Sequence, residues 1–151
     1  MQRRLTACLH ALSCNQALRR FRQLEESVTV GQPLVAVVDD DESVRESLPD
    51  MLRELGCEPR AFASAAEFLA SDCIPDTRCL ILDIAMPGMS GPELQRELVL
   101  RGHTIPVVFI TALSEMSLPP GLLKQGAVAC LMKPFSELEL RGALAAALGA
   151  V

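Results

Sequence analysis

The chain has 151 residues, half of them hydrophobic, and a net charge of −5. That length suits one domain with a sizeable core and some spare chain, and the composition is that of a globular protein, not a disordered one. No clustered Lys and Arg stand in the body, which argues against direct nucleic-acid binding, and no apolar run approaches the roughly 20 residues of a membrane helix, so no membrane partner is expected. Cys8, Cys14, Cys57, Cys73, Cys79 and Cys130 form no Cys-x-x-Cys pair. They read as reduced structural thiols, which points to the cytoplasm.

Residues 1–32 differ from the rest. Arg3, Arg4, Arg19, Arg20 and Arg22 make them basic, and Leu5, Leu9 and Leu12, then Leu18, Phe21 and Leu24, fall at helical spacing. A weak amphipathic helix and a disordered extension upstream of the natural start both fit this pattern. A secretory signal fits less well, because its apolar core is short and carries His10. Gly31-Gln32-Pro33 marks a boundary, after which residues 33–151 are expected to form one domain.

Residues 34–38, Leu-Val-Ala-Val-Val, are apolar throughout and predict a central parallel strand. Asp39, Asp40, Asp41 and Glu42 follow at once. Acids suit a helix N-terminus, which accounts for Asp41 and Glu42 but not for Asp39 and Asp40 at the tip of a buried strand. A helix is expected over 42–55, with Val44, Leu48, Met51, Leu52 and Leu55 on one face and Gly56 ending it. Pro49 lies inside it and predicts a kink or a shifted start. Residues 57–62 form a less apolar strand, expected at an edge. Ser64 and Glu67 have the spacing of a capping box for a short helix to residue 70.

Residues 71–78 read as a loop and 79–82 as a strand that ends in Asp83; Pro87, Gly88, Ser90 and Gly91 then break the pattern. The next helix opens at Gly91 or Pro92, with Leu94, Leu98 and Val99 as its inner face, and stops at Gly102. A strand over 105–110 leads to Thr111 and Ala112. A helix is expected over 118–125, starting late or poorly formed because Pro119-Pro120-Gly121 opens it. The last strand, 127–132, ends in Lys133-Pro134-Phe135, and Ser136 with Glu139 caps a final helix to about residue 148. Strands alternating with helices give an α/β fold, a doubly wound five-stranded parallel sheet in a three-layer sandwich.

Parallel strands present their C-terminal tips on one edge. The first brings Asp39 and Asp40, the third Asp83, the fourth Thr111 and the fifth Lys133. Three carboxylates suit a hard divalent cation, most plausibly Mg2+ with several waters retained. A hydroxyl and an ammonium beside them suit an anion. Together they suit phosphoryl transfer to a carboxylate.

The blocks Val-Val-Asp-Asp-Asp-Glu-Ser-Val-Arg, Leu-Asp-Ile-Ala-Met-Pro-Gly-Met-Ser-Gly, Phe-Ile-Thr-Ala and Met-Lys-Pro-Phe occur in that order within residues 34–148. They resemble the signatures of bacterial response-regulator receiver domains of the FixJ type. The resemblance implies a flavodoxin-like sandwich of strand order 2-1-3-4-5, and a phosphoprotein of a two-component system. Asp83 would accept the phosphoryl group from the phosphohistidine of a sensor histidine kinase. Asp40 and Asp83 would bind Mg2+ directly and Asp39 through water, with the backbone carbonyl of Ala85 as a further ligand. Thr111 and Lys133 would each hold a phosphoryl oxygen, and a cis Lys133-Pro134 peptide would place the ammonium. Such a domain is a phosphoacceptor, at most self-dephosphorylating, and not an enzyme acting on a separate substrate.

The sequence departs from the family at several places. Cys130 stands where an aromatic residue is usual, and Pro119-Pro120-Gly121 falls in the usual dimerising face, so phosphorylation-driven dimerisation is expected to be weak or altered. Ala85 and Leu113, at positions that tune phosphate lifetime, are both apolar, which implies slow dephosphorylation. The chain stops soon after its last helix. That fits either a single-domain regulator acting through a downstream protein or a piece lacking its DNA-binding output domain. A degenerate receiver that only binds proteins is the alternative. A phosphatase with an aspartyl intermediate would need an acid where Ala85 stands.

Overall fold

The structure, a computed structural model, describes residues 32–112 and 127–149. Five strands form one parallel sheet of order β2-β1-β3-β4-β5: β1 is Leu34–Val38, β2 Glu58–Phe62, β3 Thr77–Asp83, β4 Val107–Thr111 and β5 Ala127–Met132. The helices among the described residues are α1 (Glu42–Glu54), α2 (Ala65–Ala70), α3 (Gly91–Leu100) and α4 (Glu137–Ala147). This is the expected flavodoxin-like sandwich. The expected helix over 118–125 with its two prolines, Leu113 and residues 1–31 lie outside the described residues.

The continuous apolar runs of β1, β3 and β4 follow from having both faces covered. Side chains alternate along each strand, so each run feeds two cores. Ala36, Val38, Leu80, Leu82 and Phe109 meet Phe68 of α2 and Leu94 and Leu98 of α3. Val35, Val37, Ile81, Val108 and Ile110 meet Leu48 and Leu52 of α1 and Leu140 and Leu144 of α4. The strand order reverses between β1 and β3. At such a reversal the adjoining crossovers leave to opposite sides and open a crevice at the strand tips. Among the described residues Cys57, Cys73, Cys79 and Cys130 are unbridged.

Local chemistry differs from the pattern in instructive ways. Pro49 does not shift the start of α1, which begins at Glu42 because the Asp41 side chain accepts from the Ser43 N–H at 3.0 Å. The Ser64 box is only half made: Ser64 Oγ accepts from Glu67 N–H, but the Glu67 carboxylate reaches past it to the Ala63 N–H, 2.8 Å away. β3 starts two residues earlier than expected, at Thr77, where a 3-10 turn over Ile74–Asp76 ends and the Thr77 hydroxyl donates to the Cys73 carbonyl. β4 starts later, at Val107, although the Pro106 carbonyl already accepts from Leu80 N–H. On α3, Val99 is 57% exposed, and Gln95 is buried beside Leu94 and Leu98 instead. At about 100° per residue, Val99 lies about 40° beyond Gln95, past the edge of the inward stripe that those three define. A capping box of Ser90 and Glu93 fixes the start of α3 at Gly91.

Gly91 also has a packing role. Its N–H donates to the Ile84 carbonyl at 3.1 Å. A Cβ there would overlap the backbone carbonyl oxygen of Asp83 and stand 3.1 Å from a ring carbon of Phe109. Glycine is required by this close approach, not by an unusual φ. Gly91→Ala should therefore displace the end of β3 and cost about 1–3 kcal/mol. Urea unfolding checks this, and an unchanged midpoint would mean that the backbone has room to yield.

Candidate functional site

The sheet ladder runs one residue past several strands and so fixes the backbone of the site. Asp39 N–H donates to the Phe62 carbonyl (3.1 Å), Ile84 N–H to the Ile110 carbonyl (3.1 Å) and Lys133 N–H to the Thr111 carbonyl (2.8 Å). On that edge Asp39, Asp40 and Asp83 each offer a carboxylate oxygen, all within 4.8 Å of one another. Asp39 and Asp83 are buried, and Asp40 is exposed.

Asp39 is held on every side. Its Oδ1 accepts from the Asp41 N–H at 2.9 Å, and its Oδ2 lies 2.8 Å from Lys133 Nζ. Its backbone carbonyl accepts from Arg45 Nη1 at 2.9 Å. Lys133 is also 3.9 Å from Asp83 Oδ1, and its peptide bond to Pro134 is cis. Thr111 is fully buried at the tip of β4. Register puts Ile110 beside Asp83 and Thr111 beside Met132, so the hydroxyl stands between the strands that carry Asp83 and Lys133. It donates to the Ala112 carbonyl at 3.3 Å. Ala85 is exposed on the loop that joins Asp83 to α3. All five side chains singled out in the sequence thus meet at one edge of the sheet.

The electrostatics are unbalanced. Burial and then the neighbouring Asp39 charge push the Asp83 carboxyl up from 3.8 to about 7, against the pull of Lys133. Burial disfavours the Lys133 ammonium, but its hydrogen bond and charge contact with Asp39, followed by the charge of Asp83, outweigh it and raise its pKa above the ordinary value. Three carboxylates thus face one ammonium. This donor set, all hard oxygens with excess negative charge, fits a divalent cation such as Mg2+.

Arg45 and Gly91 end two of the quoted sequence blocks, but their contacts in the site escaped the sequence reading. The Gly91 contact leaves no trace in the pattern beyond a glycine where a helix opens. Arg45 leaves a weak one, a cation in the first turn of a helix, where the dipole favours acids.

The family model described as response regulator receiver domain matches residues 35–145. The chain is 43% identical over 114 residues to nodulation protein W of Bradyrhizobium diazoefficiens, a match covering 76% of this chain and 50% of that protein. It is 39% identical over 115 residues to the transcriptional regulatory protein FixJ of Azorhizobium caulinodans, covering 76% and 54%. The chain thus spans about half the length of these curated relatives. Its structure matches the crystal structure of FixJ-N with a TM-score of 0.69 at 37% identity, over 78% of this chain and 94% of that one.

The raised Asp83 pKa has a consequence for stability. Between about pH 4 and pH 7 the folded, metal-free protein keeps a proton that the unfolded chain has released. The stabilisation from this group is complete below pH 4 and is lost as pH rises through 7. Asp83→Asn should remove that slope and be more stable than wild type at pH 8 without divalent cations, by about 1–3 kcal/mol. Urea unfolding at pH 5 and pH 8 in EDTA measures it; parallel pH dependences for the two proteins would contradict it.

Proposed function

The chain belongs to the response regulator receiver domain family, and from that premise we propose that Asp83 accepts a phosphoryl group from the phosphohistidine of a sensor histidine kinase, with Mg2+ in the acidic cluster. The observation that carries this reading is the convergence of three carboxylates, a buried threonine and a lysine on one sheet edge. The receiver spans residues 33–151, with 1–32 an extension in front of it.

Asp40 and Asp83 are the direct metal ligands in this reading, joined by the Ala85 carbonyl. Both oxygens of Asp39 already have partners, which suits it to act through water. When bound, Mg2+ supplies positive charge to the transferring oxygens and to the carboxylates around them. An Asp83 oxygen attacks phosphorus in line as the P–N bond to the kinase imidazole breaks. The bonding pair leaves with that ring, which recovers a proton, and Asp83 becomes an acyl phosphate. Lys133 Nζ, already 3.9 Å from Asp83, turns from Asp39 to a phosphoryl oxygen. The Thr111 hydroxyl donates to another. The modification adds about 1.5 to 2 negative charges, and drawing Thr111 inward reshapes the adjoining surface. The reader of that change is a downstream protein or a linked output domain. The cytoplasm is the compartment that this reading expects, and among the described residues the cysteines are unbridged.

Incubation with Mg2+ and acetyl phosphate, followed by intact mass, tests the proposal. Wild type should gain one phosphoryl group and Asp83→Asn none; an unmodified wild type, or an equal gain in both, overturns it. After donor removal the adduct should persist for minutes or longer, since Ala85 and Leu113 cannot orient an attacking water; decay in seconds contradicts that part. The phosphorylated sample should show no clean monomer-to-dimer shift on a sizing column.

A further inference from the structure

Arg45 occupies the first turn of α1. A cation there opposes the helix dipole, so its presence calls for a compensating contact. Asp39, Asp40, Asp41 and Glu42 stand just before it, yet among the described residues its guanidinium forms no ion pair. A residue serving only to neutralise the cluster would sit on a carboxylate. Arg45 instead reaches back six residues, and its Nη1 donates to the backbone carbonyl of Asp39 at 2.9 Å.

That carbonyl belongs to the peptide linking Asp39 to Asp40. The Asp39 side chain is fixed independently, by the Asp41 N–H on one oxygen and Lys133 on the other. The Asp40 side chain is exposed, so its aim depends on the orientation of the backbone that carries it. Rotation of the Asp39–Asp40 peptide would swing the Asp40 carboxylate away from Asp83. The guanidinium bond opposes that rotation.

We propose that Arg45 is a positioning residue for divalent-cation binding: by holding the Asp39 carbonyl it keeps the Asp40 carboxylate facing Asp83. This rests on the reading of the acidic cluster as a metal site. The positioning role and simple charge predict opposite signs. Removing a cation beside three carboxylates strengthens binding of a divalent ion by Coulomb's law. Removing a partner that orients a ligand weakens it, typically by 10- to 100-fold.

Calorimetric titration of the full chain with MgCl2, at low and high salt, separates the two. Arg45→Ala should bind Mg2+ about tenfold more weakly than wild type at either salt. Arg45→Lys, which keeps a donor and the charge, should recover part of the loss. In metal-free protein, Arg45→Ala should also exchange the Asp41 amide faster, with the thermal midpoint in EDTA little changed. Equal or tighter Mg2+ binding by folded Arg45→Ala overturns the proposal, as does an absence of any recovery by lysine. A wild type that binds no Mg2+ overturns the metal reading itself, and this proposal with it. Should Arg45→Ala not fold, Arg45→Gln takes its place in the same comparison.

Discussion

Lys133 Nζ lies 2.8 Å from Asp39 and 3.9 Å from Asp83, so one ammonium is shared unequally between two buried carboxylates. The rest of the site follows from that imbalance. Asp39 receives the closer approach of the ammonium and a backbone N–H. Asp83 receives only the remainder of the attraction, while burial and the Asp39 charge oppose its ionisation, so its carboxyl rises to about 7. Breaking the pair by removing lysine would leave buried charge without a partner, which is costly. Adding a divalent cation would do the reverse and relieve all three carboxylates at once. The metal-free site is therefore short of positive charge, and of the two buried carboxylates Asp83 is the less compensated.

The sheet makes this arrangement rigid. Each functional group stands at or next to a strand end whose hydrogen-bond ladder continues past the strand, and the strands are clamped between two cores. Gly91 presses the start of α3 against the carbonyl of Asp83, and the Ser90 cap holds that helix start in place. Positions set this way need little reorganisation when charge moves, which is where much of the benefit of a preorganised site arises.

Much of this was legible in the sequence because it depends on local patterns. The bounds of β1 and β5 follow from their apolar runs, and the Asp41 and Ser136 caps from residue type and spacing. Strand tips on a parallel sheet share an edge, which is enough to gather Asp39, Asp40, Asp83, Thr111 and Lys133. The strand order came from the family resemblance, since periodicity does not encode which strands are neighbours. What escaped depends on contacts between elements. Val99 and Gln95 differ by the exact rotation at which α3 meets the sheet. Glu67 chooses between two adjacent N–H groups. The roles of Arg45 and Gly91 lie in a hydrogen bond and a close approach to backbone carbonyls, which no side-chain pattern reports.

The central claim is that Asp83 is a carboxylate held partly protonated until a divalent cation arrives. Carbon-13 NMR of its side-chain carboxyl, titrated with and without saturating Mg2+, measures this directly. The account requires titration near pH 7 in the metal-free protein and a fall well below that with Mg2+. An ordinary midpoint near 4 in both conditions would contradict it.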